Sequence, residues 1–356
     1  MKQAPLSLRL KLELALLIGL VAAVLGGLWL RPAPPRRHPV LSWEGHAQEV
    51  RQVPRNGGLD VTLLHVSDLH AGAEACDNHT GFAALDRCGP IEPWHHRLIE
   101  RMRSMAGTDF PEEAGGGAVQ PAKAGGGAVQ PAEALLVTGD VTQDGKEAEW
   151  AAYLRLFGPG SGLPFAVWDF PGNHDLRHPA LTRLQFLLRQ GGSRYVRDLG
   201  DLRLIALGEA PDQDDLVWLR GVLASTGRAR PVIVALHLPF EGPYSYNWFT
   251  RDTFTESLGR LLEGFNIIAI LHGHYHESGF YRWKGFDVYN IGSVKHHHRD
   301  FGVLHVTDTH LIYAAWNLEF NDWWWIHSKP INGHPGPETL KILRGAPWVP
   351  YPQSAD

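Results

Sequence analysis

Five short apolar runs, each followed at once by acidic, amide or imidazole side chains, constrain the fold of this chain most. The clearest run is Leu135-Leu136-Val137, which indicates a buried strand and leads into Gly139-Asp140. The other four runs lead into Asp68-Leu69-His70, Gly172-Asn173-His174-Asp175, His237 and Gly273-His274-Tyr275-His276. Ligands of open α/β sheets bind beyond the carboxyl ends of the strands, so these side chains are predicted to meet in one crevice.

Apolar residues at helical spacing lie between these strands and predict an α/β fold. The spacing predicts helices over 93–106, 144–157, 179–190, 214–224 and 253–263. Three more strands, 286–291, 303–306 and 311–316, follow one another with no helix between them. An alternating first half and a hairpin-rich second half predict two sheets packed face to face with helices outside. We expect one folded domain over residues 59–330.

The N-terminal region predicts a membrane anchor. Residues 14–30 are seventeen uncharged, mostly apolar residues after the basic tail 1–13, close to the roughly 17–25 that a spanning helix needs. A cleavable signal peptide is the alternative, disfavoured because Arg31-Pro32 follows and no Ala-x-Ala site is evident. The proline-rich segment 31–58 is expected to form a stiff stalk, and residues 331–356, rich in Pro and Gly, a poorly ordered tail.

The compartment is predicted from charge and cysteine content. Basic residues flank both sides of the apolar run almost equally, but those before it favour a single-pass membrane protein with an extracytoplasmic domain. Cys76 and Cys88 are the only two cysteines. They suit a disulfide in an oxidising compartment, although two free thiols are equally compatible with the sequence.

Three further sequence features concern loops and aromatic residues outside the strand ends. A tandem repeat at 115–122 and 125–132 predicts a flexible Gly-rich loop over 114–132. The tryptophans Trp316 and Trp323-Trp324-Trp325 are expected to pack against the sheets, with contact to a bilayer as the alternative. The turn His296-His297-His298-Arg299 either contacts phosphate or is solvated.

The polar residues at the five strand ends have the chemistry of metal ligands. Asp68 and His70 alternate along an extended chain and therefore point to the same side. Asp140 has two oxygens that can bridge two cations, Asn173 offers a carbonyl oxygen, and three imidazoles complete the set: His237, His274 and His276. Nitrogen and oxygen donors without a thiolate suit Mn, Fe or Zn rather than a site with oxygen ligands alone.

In this form and order, the residues resemble the calcineurin-like metallophosphoesterase superfamily, whose pattern is Asp-x-His, Gly-Asp, Gly-Asn-His-Asp/Glu, His and Gly-His-x-His. The resemblance covers about residues 60–315. It implies a four-layer α/β-β/α sandwich of two mixed sheets flanked by helices, with two divalent metal ions. The first ion would be held by Asp68, His70, Asp140 and His276, and the second by Asp140, Asn173, His237 and His274. His174 would sit beside the leaving group, with Asp175 orienting it.

The resulting hypothesis is a membrane-anchored phosphohydrolase of phosphomonoesters or phosphodiesters. A hydroxide bridging the two metals would attack phosphorus, and His174 would be the general acid. We expect a small phosphorylated molecule or a phospholipid as substrate. Nucleic acid is not expected, because the net charge is −5 and the main body has no basic block. The alternative is a non-catalytic metal-binding scaffold with the same fold.

Overall fold

A computed structural model describes residues 58–77, 87–111, 127–240, 252–296 and 299–344. The predicted anchor, nearly all of the predicted stalk and the first copy of the repeat lie outside these residues. Within them, no helix has both the length and the apolar character needed to cross a bilayer.

Strands and helices alternate through the first part of the described chain, as the periodicity predicts. In chain order the elements are β1 (Asp60–Val66), β2 (Glu74–Asp77), β3 (Arg87–Pro90), α1 (Glu92–Arg103), β4 (Ala134–Val137), α2 (Glu147–Phe157), β5 (Ala166–Asp169), α3 (Pro179–Gln190), β6 (Tyr195–Leu199), β7 (Leu202–Ala206), α4 (Gln213–Thr226), β8 (Val232–Ala235), α5 (Asp252–Leu262), β9 (Ile267–His272), β10 (Gly279–Trp283), β11 (Phe286–Asn290), β12 (Asp300–Thr307), β13 (His310–Asn317), β14 (Asp322–Pro330) and β15 (Thr339–Ile342).

Two mixed sheets form the centre of the fold. The first sheet has the strand order β15-β14-β13-β12-β1-β4-β5, and the second has β10-β11-β9-β8-β7-β6. Strands β1, β4 and β5 are parallel neighbours in the first sheet, as are β8 and β9 in the second. Because parallel strands end at the same edge of a sheet, the chain segments after these five strands leave from two edges only.

Three hydrophobic cores separate four layers. Between the sheets, Leu63 and Leu136 of the first sheet belong to the same core as Ile233 of the second. Leu64, next along β1, faces the opposite way into a core with α1, α2 and α3. Side chains of a strand point alternately to its two faces, so a strand buried on both faces reads as the continuous apolar run seen in the sequence. The outer face of the second sheet packs on α4 and α5, through Leu219 and others.

The predicted boundary of the domain at residue 330 is wrong. Residues Thr339–Ile342 form β15, which pairs with β14 and aligns Ile342 with Trp325. Ile342 also packs against the core between the sheets. The Pro- and Gly-rich composition that predicts a disordered tail is a local signal, whereas hydrogen bonding to β14 orders this segment.

The prediction of a flexible loop is also wrong for the part of the second repeat copy from residue 127 onward. Ala128 forms an isolated bridge with Asp109, and the backbone N–H of Val129 donates to the carbonyl of Thr108. The Val129 side chain is 2% exposed and belongs to the core beneath α1. Burial of this one valine therefore holds the glycine-rich segment against the core.

The tryptophan cluster packs inside the fold, which confirms the prediction that it packs against the sheets. Trp316, Trp323, Trp324 and Trp325 are all buried. The indole nitrogen of Trp325 donates to the Ser278 hydroxyl at 2.7 Å.

Strands β2 and β3 form a small two-stranded sheet that bears on the cysteines. Its register places Cys76 opposite Cys88. Cys88 is disulfide-bonded, and Cys76 is the only other cysteine of the chain. Of the two alternatives left open by the sequence, the disulfide is confirmed. Closing so short a loop stabilises the fold by about 3 kcal/mol in the chain-entropy description.

Candidate metal centre

The predicted ligands all follow the carboxyl ends of parallel strands. Asp68 and His70 come after β1, Asp140 after β4 and Asn173 after β5, all in the first sheet. His237 follows β8, and His274 and His276 follow β9, all in the second sheet. The structure brings the two groups together, so that residues up to 208 positions apart in the chain share one cleft.

The backbone around the cleft is held in an unusual conformation. Asp68, His70, Asp140, His274 and His276 have φ angles of 53°, 46°, 50°, 75° and 61°. Only three other non-glycine residues of the described chain have positive φ. This left-handed region costs a non-glycine residue of order 1–3 kcal/mol, and such strain concentrates at functional sites. Five of the seven predicted ligands therefore carry a backbone cost that local folding does not explain.

The ligands nearest to Asp68 form one half of the centre. The Asp68 Oδ1 atom lies 3.2 Å from His276 Nε2, and the Nε2 atoms of His70 and His276 are 3.0 Å apart. Two imidazole nitrogens approach this closely only when one carries a proton or a cation lies between them. Asp68 and His70 are fully buried.

The second half of the centre surrounds His237. Its Nδ1–H donates to the carbonyl of Thr138 at 2.8 Å, which turns Nε2 towards the cleft. Nε2 lies 3.1 Å from Asn173 Oδ1 and 3.3 Å from His274 Nδ1. Asp140 Oδ2 is 3.5 Å from His237 Nε2 and 3.7 Å from His70 Nε2. Asp140 thus stands between the two halves, where a bridging carboxylate would have to be.

The electrostatics fit a site for cations. Burial would raise the pKa of Asp68, but His276 and the neighbouring imidazoles hold it well below its usual range, so Asp68 is a carboxylate. Burial, reinforced by His276, lowers the pKa of His70 well below its usual value, and burial together with His237 lowers that of His274 to about 4. Both are neutral imidazoles, the form that binds metals.

His237 is the exception among the imidazoles. Burial opposes its charge, but the Asp140 carboxylate beside it outweighs burial and raises the pKa of His237 to about 10. Without a metal, both ring nitrogens of His237 therefore carry a proton at neutral pH. A cation bound to Nε2 would replace the proton on that nitrogen. The donor set as a whole, with two carboxylates, four imidazoles and an amide oxygen, fits a pair of divalent ions.

His174 lies beside this centre, held by the backbone. Its Nδ1–H donates to the carbonyl of Gln143 at 2.7 Å, and its ring centroid is 4.6 Å from that of His70. The backbone N–H of His174 donates to Asp140 Oδ1 at 2.8 Å. Because Nδ1 is used, Nε2 is the atom that can exchange a proton with a substrate, and the Arg177 guanidinium lies 3.4 Å from it.

The prediction that Asp175 orients His174 is wrong. The Asp175 carboxylate is fully buried and accepts hydrogen bonds from the backbone N–H groups of Val141, Thr142 and Gly172 and from the Thr142 hydroxyl. Burial and the nearby Asp140 raise its pKa to about 7. Asp175 thus ties the loop of Asp140 to the loop of His174. The Gln143 carbonyl orients the ring instead, and a backbone partner leaves no mark in a sequence.

The residues of the turn after β11 have different surroundings. His296 stacks on His276 with ring centroids 4.8 Å apart, at the edge of the site. Arg299 is instead buried against Trp94, 4.0 Å from its ring centroid, and pairs with Glu319. The phosphate-contact reading is therefore wrong for Arg299. His297 and His298 lie outside the described residues, and the neighbouring Lys295, which sequence reasoning missed, points to the site.

The fold and the site together match one family of proteins. The family model described as calcineurin-like phosphoesterase matches residues 61–278, more than half of the chain. The chain belongs to the calcineurin-like phosphoesterase family. This membership confirms the family predicted from the motifs.

Two curated relatives share part of this sequence, and one solved structure shares the fold. The 3′,5′-cyclic adenosine monophosphate phosphodiesterase CpdA of Pseudomonas aeruginosa is 30% identical over 166 residues, 43% of this chain and 57% of that protein. The protein of the same name from Haemophilus influenzae is 25% identical over 168 residues, 44% of this chain and 59% of that protein. The chain thus matches less than two thirds of these relatives. Purple acid phosphatase PPD1 from yellow lupin shares the fold, with a TM-score of 0.51 at 11% identity over 76% of this chain and 54% of that one.

Proposed function

We propose that this protein hydrolyses phosphoesters at a dinuclear metal centre, with His174 as general acid. The observation that supports it most is the convergence of Asp68, His70, His276, His237 and His274 around a single central carboxylate, Asp140. Asn173 completes the ligand set through its amide oxygen. Two divalent cations held there, Mn, Fe or Zn, would lower the pKa of a bound water and offset charge on the phosphoryl oxygens.

The remaining chemistry belongs to side chains of the chain itself. A leaving alkoxide needs a proton, and His174 presents Nε2 to the cleft because its Nδ1–H is held by Gln143. Asp175 keeps the loops of Asp140 and His174 in register through its four hydrogen bonds. The acid and the central ligand are therefore fixed relative to one another before a substrate arrives.

The names of the curated relatives supply the first substrate to test. Both are 3′,5′-cyclic adenosine monophosphate phosphodiesterases. We therefore propose a cyclic nucleotide diester as the first candidate, with small phosphomonoesters and phospholipids as alternatives. A scaffold without activity remains the competing function.

A metal-dependence assay tests the proposal. The full chain, purified in mild detergent, is stripped with a chelator, reloaded with Mn and given 3′,5′-cyclic AMP, bis-p-nitrophenyl phosphate, p-nitrophenyl phosphate and a short-chain phosphatidic acid. We expect turnover of at least one ester and a loss of at least 100-fold in the stripped protein, because no side chain of the site can replace the cations. Two bound metals per chain with no turnover of any ester would favour the scaffold.

We also propose a single-pass anchor at residues 14–30 with the catalytic domain outside the cytoplasm. The apolar length of that segment and the Cys88 disulfide support it, because disulfides persist in oxidising compartments. After alkaline carbonate extraction of membranes, the full chain is expected in the pellet, and protease added outside intact cells is expected to reach the domain. Recovery in the soluble fraction would contradict the anchor.

A further inference from the structure

Lys295 is a cation at the metal centre that the family motifs do not include. It lies in the turn that follows β11, and its backbone N–H donates to the Ser293 hydroxyl at 3.1 Å. That hydroxyl donates in turn to the carbonyl of Asp68 at 2.6 Å. Lys295 is therefore two hydrogen bonds away from a predicted metal ligand.

The ammonium of Lys295 has a neutral partner. Its Nζ donates to the side-chain oxygen of Gln143 at 3.0 Å, and no carboxylate of the described chain lies within ion-pair distance of it. By contrast, Lys146, Lys284 and Lys329 each pair with an aspartate or glutamate. A half-buried ammonium gives up hydration, and an amide oxygen offsets that loss less than a carboxylate does. A lysine serving stability alone would be expected to have the carboxylate.

Gln143 connects this lysine to the general acid. Its side-chain oxygen accepts from Lys295, while its backbone carbonyl accepts from His174 Nδ1. The backbone N–H of Gln143 donates to the carbonyl of Ala71, which fixes the residue against the loop that follows β1. One residue thus positions both the acid and the ammonium on the same side of the cleft.

We propose that Lys295 binds an anionic, non-bridging oxygen of the substrate's phosphoryl group, and that Gln143 positions it to do so. The proposal rests on the proposed function, because it takes a phosphoester as the ligand. An ammonium has three donors, and only one is used by Gln143. The two left can point to phosphoryl oxygens. Arg177, the other cation near His174, is already paired with Asp144 at 2.6 Å and is exposed.

Binding of inorganic phosphate tests this directly. Calorimetric titration of the full chain loaded with Mn is expected to show phosphate binding about 10–100-fold weaker in Lys295→Ala, the loss typical of one charge-assisted hydrogen bond. Lys295→Arg is expected to recover most of it, because the guanidinium keeps the charge and the donors. Lys284→Ala is the matched control, since it removes a lysine that pairs with Glu256 away from the site. With a phosphoester, Lys295→Ala should raise KM more than it lowers kcat.

The possible outcomes distinguish phosphate binding by Lys295 from metal binding and from hydrolysis. Phosphate binding in Lys295→Ala within twofold of Lys284→Ala, at equal metal content, would overturn the proposal. Loss of metal from both Lys295 variants would also overturn it, because the residue would then serve the fold. If the wild-type chain turns over no ester but Lys295→Ala still weakens phosphate binding, the anion site stands and the proposed hydrolysis fails.

Discussion

Replacing Asp140 with alanine is expected to remove both metals and to lower kcat/KM at least 1,000-fold. The Asp140 carboxylate lies between the side chains of both halves of the centre, within 3.7 Å of His70 Nε2 and 3.5 Å of His237 Nε2. Its other oxygen accepts from the backbone of His174, so the variant also releases the loop of the acid. Removing one charge from a buried cluster leaves the remaining members unbalanced, at a cost typical of several kcal/mol.

Elemental analysis of metal content per chain after dialysis tests whether Asp140 bridges the two metals. Asp140→Asn is the matched variant, because it keeps the volume and the acceptor for the His174 N–H but loses the charge. We expect its thermal midpoint to match that of the wild type when both are metal-free, and we expect it still to lose metal. Two metals per chain in Asp140→Ala would contradict the bridging role, whatever the activity.

Replacing His174 with alanine is expected to retain both metals and to lower kcat about 100–10,000-fold for an alkyl phosphoester. The loss should nearly vanish for a p-nitrophenyl ester, whose leaving group needs no proton at neutral pH. This difference between leaving groups marks an acid, because a residue that only binds substrate or supports the fold would affect both esters alike.

His178→Ala is the matched control for His174. It lies four residues further along, is exposed, and its Nδ1 donates to the carbonyl of Asp144. It should behave as the wild type with both esters. An equal loss on both esters in His174→Ala would rule out the role of acid, and a loss of metal would make His174 a ligand.

Much of the fold was predictable because its signals are local. The bounds of α3, Pro179–Gln190, match the predicted helix, since a proline occupies its first position and Gly191 caps its end with φ of 85°. The strands that lead to the ligands were predictable for a similar reason. Strands β4 and β8, for example, are buried and apolar on both faces, and the candidate ligands follow them closely in the sequence. Strands β6 and β7 lack this pattern and escaped prediction.

The candidate ligands and their order along the chain could be predicted from the sequence alone, because each depends on residue type at the end of a recognisable strand. The tertiary structure decided the partners. Gln143 and Lys295 are 152 positions apart, and the groups held by Asp175 are mostly backbone atoms. Such contacts depend on how two sheets pack, and every residue except proline carries the same backbone N–H and carbonyl. A sequence therefore shows which side chains are chemically reactive, whereas packing determines which groups contact and orient them.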